Sequence, residues 1–94
     1  MLPVQPGDRF RILPTVKSRQ LDDELILLDM SGGEYFSLNA SGASIWRGIE
    51  RGLALGDIDK ELSADWPVAA EERWRMIISV VDELLARGLV ERHE

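Results

Sequence analysis

The sequence predicts an α+β domain in which a small antiparallel sheet comes first and three helices follow. Up to Leu38, short apolar runs with strand-like patterns are separated by turn residues, and after Asn39 the apolar positions recur at helical spacing. The chain has 94 residues, enough for one modest core but too few for a cleft between two domains. We therefore expect a single domain.

The first segment carries the weakest structural signal. Residues 1–14 contain three of the four prolines, so we predict a poorly ordered N-terminal arm followed by one domain over residues 15–94. Phe10 and Ile12 alternate with arginines, which allows a brief edge strand within the arm. A first regular strand is expected up to Leu21.

A β-hairpin is predicted next. The run Leu25–Leu28 is apolar on both alternating faces, which is typical of a central strand, and Gly32 and Gly33 supply the turn. The returning strand is Glu34–Leu38, in which Phe36 and Leu38 share one face and Tyr35 and Ser37 the other. Because only helices follow, we expect this strand to lie at an open sheet edge, with Phe36 and Leu38 toward the core.

Three amphipathic helices should complete the fold. Their apolar stripes are Gly42, Ile45, Trp46 and Ile49, then Leu55, Ile58 and Leu62, then Ala70, Trp74, Ile77, Val81 and Leu84. Asn39 or Ser41 is suited to cap the first helix, and Gly88 to end the third. A second line runs along the third helix, formed by Ile78 and Leu85 with Asp82 between them. It makes the apolar face of this helix wider than packing against a core requires.

Composition excludes several classes of function. The net charge of −6 disfavours nucleic-acid binding, and the chain has no cysteine and a single histidine, His93, beside the C-terminus. We therefore predict no catalytic residues, no metal site and no cofactor. The N-terminus lacks a signal-peptide pattern and no apolar run reaches the roughly 20 residues that span a bilayer, so we expect a cytoplasmic protein with no membrane partner.

Four segments, taken in order, resemble the PqqD family. They are Leu27–Asp29, Gly33–Asn39, Gly42–Trp46 and Leu84–Leu89. That family includes the pyrroloquinoline quinone biosynthesis protein D and the leader-recognition elements of ribosomally made peptide pathways, among them those of lasso peptides. The segment Ile49–Gly52 lacks the Cys-Asp-Gly-like sequence expected in the quinone pathway, so a lasso-type or other peptide pathway fits at least as well.

The resemblance implies a winged helix-turn-helix-like domain that is not an enzyme. Members bind the leader segment of a precursor peptide as an added strand and present it, as a peptide chaperone does, to a maturation enzyme such as a radical enzyme or leader peptidase. By position, the implied contacts on the third strand are Glu34, Tyr35, Phe36, Ser37 and Leu38, and those on the third helix are Ile78, Asp82 and Leu85.

Two other functions remain open from the sequence. The element order is compatible with a DNA-binding winged helix, although the net charge argues against it. The open strand edge is also suited to a structural adaptor that dimerises through that edge. Fold class alone does not separate these functions from peptide binding.

Overall fold

Strands precede helices in this chain, as predicted, with one further strand at the C-terminal end. The computed structural model describes residues 3–93. Its elements in chain order are β1 (Arg9–Ile12), β2 (Val16–Leu21), β3 (Glu24–Asp29), β4 (Glu34–Leu38), α1 (Ala40–Glu50), α2 (Leu55–Asp65), α3 (Ala70–Ala86) and β5 (Val90–His93). The predicted α+β class, with a three-stranded antiparallel sheet followed by three helices, is confirmed.

The three-stranded sheet has the order β2-β3-β4 with antiparallel pairing throughout. The run Leu25–Leu28 therefore lies in the central strand, as predicted. Leu25 and Leu27 are fully buried on the inner face of β3, whereas Leu28 on the outer face is 37% exposed. The sheet thus has one face covered by helices and one face open to solvent.

Local capping fixes where the helices begin and end. The Asn39 side-chain oxygen accepts a hydrogen bond from the Gly42 backbone N–H at 2.9 Å, so Asn39, rather than Ser41, caps α1. Gly52 and Gly88 follow α1 and α3 with φ of +78° and +70°, a left-handed conformation that glycine adopts without strain. Among the helices described in residues 3–93, none is long and apolar enough to cross a bilayer.

The core lies between the inner face of the sheet and the three helices. Trp46 of α1 and Ile77 of α3 are almost completely buried in it, while Trp74 is half-buried at its margin. α1 and α2 approach closely at Gly48, where an added Cβ would lie 2.5 Å from Ile58 Cγ1. A glycine is therefore required at position 48 for this helix packing.

The N-terminal segment differs from the poorly ordered arm predicted over residues 1–14. β1 pairs antiparallel with β5, from Arg9 opposite His93 to Ile12 opposite Val90. Phe10 is only 2% exposed and belongs to the core, and Asp8 and Arg92 form an ion pair at 2.6 Å. The two ends of the chain thus hold each other in a second, two-stranded sheet. Residues 1, 2 and 94 of the predicted segments lie outside the described residues.

Candidate functional site

The sheet edge at β4 has free backbone groups. β4 pairs with β3 on one side only, in a register that sets Leu38 opposite Leu25 and Glu34 opposite Asp29. In an antiparallel pair, alternate residues direct both their N–H and C=O groups to the neighbouring strand, and the intervening residues direct theirs away from it. No strand within residues 3–93 pairs with the outer side of β4. The intervening residues therefore offer a row of donors and acceptors at the edge.

The side chains of β4 divide between the two faces as the sequence predicts. Phe36 and Leu38 are half-buried and pack against the core, while Ser37 is exposed and Tyr35 is 72% exposed. Glu34 is exposed at the start of the strand. A chain pairing with this edge would meet apolar side chains on the inner face and the Tyr35 ring on the outer face.

A groove lies beside β4 on the inner face, between the end of the strand and α3. It has a volume of about 260 Å³ and is lined by Leu38, Ser79, Val80, Glu83 and Leu84. Val80 is half-buried and Leu84 is fully buried, so apolar atoms form most of the floor, while Ser79 and Glu83 are exposed at the rim. The free edge and this apolar groove are therefore adjacent.

One arginine connects α3 to the edge strand. The Arg87 guanidinium lies over the Phe36 ring with its Cζ 4.2 Å from the ring centroid, and its Nε donates to Glu83 Oε1 at 2.5 Å. A cation over an aromatic face is attracted by the ring quadrupole. Arg87 thus covers Phe36 on the side of β4 that faces α3.

The structure moves the wall of the groove to a different flank of α3 from the one predicted. The predicted line, Ile78, Asp82 and Leu85, does not line the groove beside Leu38. At 100° per residue these positions lie about 140–160° around the helix from Val80. Asp82 is exposed and Leu85 packs against the core from the far side of the Ile77 stripe. The groove beside β4 is therefore bordered by the Val80 flank of α3, and leader contact with Ile78, Asp82 and Leu85 stays a prediction.

The turn that joins β3 to β4 is fixed by Asp29. The Asp29 carboxylate accepts hydrogen bonds from the Ser31 hydroxyl at 2.7 Å and from the Ser31 backbone N–H at 3.0 Å. These bonds hold the pKa of Asp29 below its usual value because they favour the charged form, and the bond from the hydroxyl has the larger effect. Gly33 completes the turn with φ of +71°. The start of β4 is therefore positioned by a compact, hydrogen-bonded turn.

The other sheet edge offers a different environment. The cavity beside β2, about 340 Å³, is lined by the polar or charged side chains of Gln20, Asp22, Asp23 and Arg47 together with Ala40 and Ala43. Gln20 accepts a hydrogen bond from Arg47 of α1 at 2.7 Å. The groove beside β4, lined by Leu38, Val80 and Leu84, is thus more apolar than the cavity beside β2.

A larger cavity, of about 470 Å³, lies beside the two-stranded sheet of β1 and β5. It is lined by residues of β1 and the loop that follows, by the end of α1 and by His93, and it shares no residue with the groove. Within residues 3–93, no three His, Cys, Asp or Glu side chains are grouped so that they could hold a metal ion.

Comparison with protein families identifies the class. The family model of coenzyme PQQ synthesis protein D (PqqD) matches residues 24–90, which include β3, β4 and all three helices. The chain belongs to this family, and the resemblance in its sequence is confirmed.

Two solved structures are similar to this chain over most of its length. One is described as TbiB1 in complex with the TbiA(beta) leader peptide; it is 31% identical with a TM-score of 0.81, over 86% of this chain and 94% of that one. The other is described as lasso peptide synthetase B1 complexed with the leader peptide; it is 29% identical with a TM-score of 0.82, over 88% of this chain and 98% of that one. No curated protein sequence matches this chain significantly.

Proposed function

We propose that this chain is a non-catalytic binding module that holds the leader segment of a precursor peptide as an added strand along Glu34–Leu38 and presents the peptide to a maturation enzyme. The observation that carries the proposal is the free edge of β4 beside an apolar groove. The two similar structures support it, because both are described as complexes with a leader peptide. Strand addition to an exposed edge is an established mode of peptide recognition.

Backbone pairing alone would hold such a peptide weakly. A partner of five residues spans about 16 Å at ~3.3 Å per residue, and each hydrogen bond contributes a net ~0.5–1.5 kcal/mol. Association and ordering of the peptide cost at least several kcal/mol, so apolar contact is also required. The groove lined by Leu38, Val80 and Leu84 would supply it. The leader is therefore expected to carry an apolar side chain on its inner face.

The module would act by raising local concentration. A leader held here keeps the rest of the precursor peptide tethered to the protein, and an enzyme docked to the same protein meets that peptide in an effectively intramolecular encounter. The maturation enzyme would be of the leader peptidase or radical-enzyme class. In this role, the protein itself supplies binding and orientation and the enzyme supplies the chemistry.

A methylation scan of the leader tests the proposal from the side of the peptide. A leader peptide that binds the protein is synthesised with one backbone amide N-methylated at a time, and its affinity is measured by isothermal titration calorimetry. Strand addition predicts losses at every second amide, because only alternate N–H groups face β4. A peptide with alanine at each of the same positions controls for side-chain effects.

The pattern of losses decides the outcome. Sensitivity with a period of two supports pairing with β4, whereas tight binding that ignores methylation contradicts it. The molar mass of the free protein, from sedimentation equilibrium, separates the adaptor alternative, since a module that dimerises through β4 would form a stable dimer and take up no leader.

A further inference from the structure

The outer face of the three-stranded sheet carries an unusual concentration of exposed apolar side chains. Leu21 of β2 is 50% exposed, Leu28 of β3 37%, and Tyr35 of β4 72%. Met30, 59% exposed, directly follows β3. These are all of the large hydrophobic side chains that are exposed in residues 3–93. A contiguous exposed apolar patch on a small domain indicates an interaction site.

Two cations border this patch along β2. The register sets Lys17 opposite Leu28 and Arg19 opposite Ile26, so that on this face each cation is the cross-strand neighbour of an apolar residue. Both are exposed. Glu24, opposite Leu21, is the acidic residue at the far end of the same face.

Neither of these cations is paired with another side chain. Within residues 3–93, Arg19 is the one arginine with no hydrogen-bond or ion-pair partner, and Lys17 has none either. The chain as a whole has a net charge of −6. Two unpaired positive charges beside exposed apolar side chains are therefore a local exception to an acidic surface, and their complement is an acidic group.

Part of this face, on β2 and β3, forms a shallow groove. It has a volume of about 300 Å³ and is lined by Lys17, Ser18, Arg19, Leu21, Ile26 and Leu28. Five of these residues, which the register places on one side of the sheet, are called the outer sheet face: Lys17, Arg19, Leu21, Ile26 and Leu28. It lies on the opposite side of the sheet from the core, on β2 and β3, and does not extend onto β4, whose outer edge is free. At ~4.8 Å between strands, a peptide added to β4 would lie about 10 Å from β3.

We propose that the outer sheet face docks the maturation enzyme through a patch on that enzyme that is apolar at its centre and acidic at its rim. The inference rests on the proposed function, and it assigns the surface through which the protein binds the enzyme while it presents the peptide. Leu28 and Ile26 meet the apolar centre, and Lys17 and Arg19 pair with the acidic rim. An enzyme docked here lies next to the peptide strand without covering the β4 groove, so both partners bind at once.

Charge reversal tests the docking surface. The variant Lys17→Glu/Arg19→Glu changes two exposed positions on the outer sheet face, and Lys60→Glu/Arg75→Glu makes the same change in net charge on α2 and α3. A purified leader peptidase of the same peptide pathway is titrated onto immobilised wild-type and variant protein by surface plasmon resonance. Leader affinity is measured in parallel by calorimetry.

The surface predicts at least a tenfold loss of enzyme affinity for Lys17→Glu/Arg19→Glu and for Leu28→Asp, with leader affinity within twofold of wild type. The control variant should change both affinities less than twofold. Raising the salt concentration should weaken enzyme binding by the wild type more than by the charge-reversed variant.

Three results would overturn the docking surface. In the first, Lys17→Glu/Arg19→Glu binds the enzyme as tightly as the wild type does. In the second, the wild type forms a dimer that Leu28→Asp dissociates. In the third, the wild type binds anionic vesicles and Lys17→Glu/Arg19→Glu abolishes that binding. The second result would assign the face to another copy of this chain, and the third to a membrane surface. Failure of the wild type to bind leader would instead overturn the proposed function itself.

Discussion

The Arg87 guanidinium lies over the Phe36 ring, with its Cζ 4.2 Å from the ring centroid. This contact connects the residue that caps the C-terminal end of α3 to the edge strand β4. The same guanidinium is held by Glu83, one helical turn earlier, through an Nε–Oε1 hydrogen bond of 2.5 Å. One cation–aromatic contact therefore holds the C-terminal end of α3 against β4.

Replacing Arg87 should loosen this connection. Arg87→Met keeps an unbranched side chain but removes the charge, so we expect the free energy of unfolding to fall by about 0.5–1 kcal/mol in urea denaturation. Arg75→Met is the matched control, because Arg75 is 80% exposed and its contact with Glu71 is 3.9 Å. Equal effects of the two variants would show that the Phe36 contact contributes nothing.

The wall of the groove is tested by two substitutions on opposite flanks of α3. Val80→Asp places a charge in the apolar groove beside Leu38, and we expect leader affinity to fall at least tenfold, about 1.4 kcal/mol. Ile78→Asp, at another half-buried position of the same helix, should leave leader affinity within twofold. Affinity is measured by calorimetry, with thermal melts to confirm that both variants are folded. A larger loss of leader affinity in Ile78→Asp than in Val80→Asp would instead place the leader against the line predicted from sequence.

Sequence patterns predicted the hairpin and the helices because their signals are local. Strand runs around Gly32 and Gly33 and helical spacing after Asn39 each depend on residues close in the chain. Residues close together in the chain do not show which flank of α3 faces β4. The apolar stripe of α3 is broad, and the rotation of the helix against the sheet decides whether the Val80 or the Ile78 side borders the strand.

Local sequence patterns also could not predict that β1 pairs with β5. β1 pairs with β5 through contacts such as Arg11 with Glu91, which are 80 residues apart in sequence. The prolines around β1 are a breaker signal in any short window, and they indicated a loose arm. Burial of Phe10 in the common core is what overrides that signal.

The ion pair between α2 and α3 should contribute measurably to stability. Arg73 is 8% exposed and donates to Asp59 Oδ1 at 2.7 Å, so Asp59→Ala would leave a nearly buried cation without its partner. We expect a loss of about 2 kcal/mol in the free energy of unfolding. Glu61→Ala, on the same helix, removes the exposed pair with Arg51 and should cost at most about 1 kcal/mol. Equal losses of unfolding free energy in the two variants would contradict the inference that the Arg73–Asp59 ion pair stabilises the packing of α2 against α3.

The turn before β4 gives a prediction about pH. Because the pKa of Asp29 is lowered in the folded state, its stabilisation is present above the ordinary value of 3.8 and is lost as pH falls through the folded pKa. Ser31→Ala removes the hydroxyl donor, so the Asp29 pKa should rise toward 3.8 in a carbon-13 NMR titration of the carboxyl groups. Ser63→Ala, whose hydroxyl donates to the Lys60 carbonyl instead, should leave that titration unchanged. An unaltered Asp29 curve in Ser31→Ala would contradict this account.

Amide hydrogen exchange along β4, measured by NMR with and without the leader peptide, tests the central claim most directly. β3 already protects the amides that face it, so leader binding should slow exchange at least tenfold at alternate residues of Glu34–Leu38 and leave the others nearly unchanged. Saturating leader with unaltered exchange along Glu34–Leu38, or with new protection confined to Val16–Leu21 at the opposite edge, would contradict strand addition at β4.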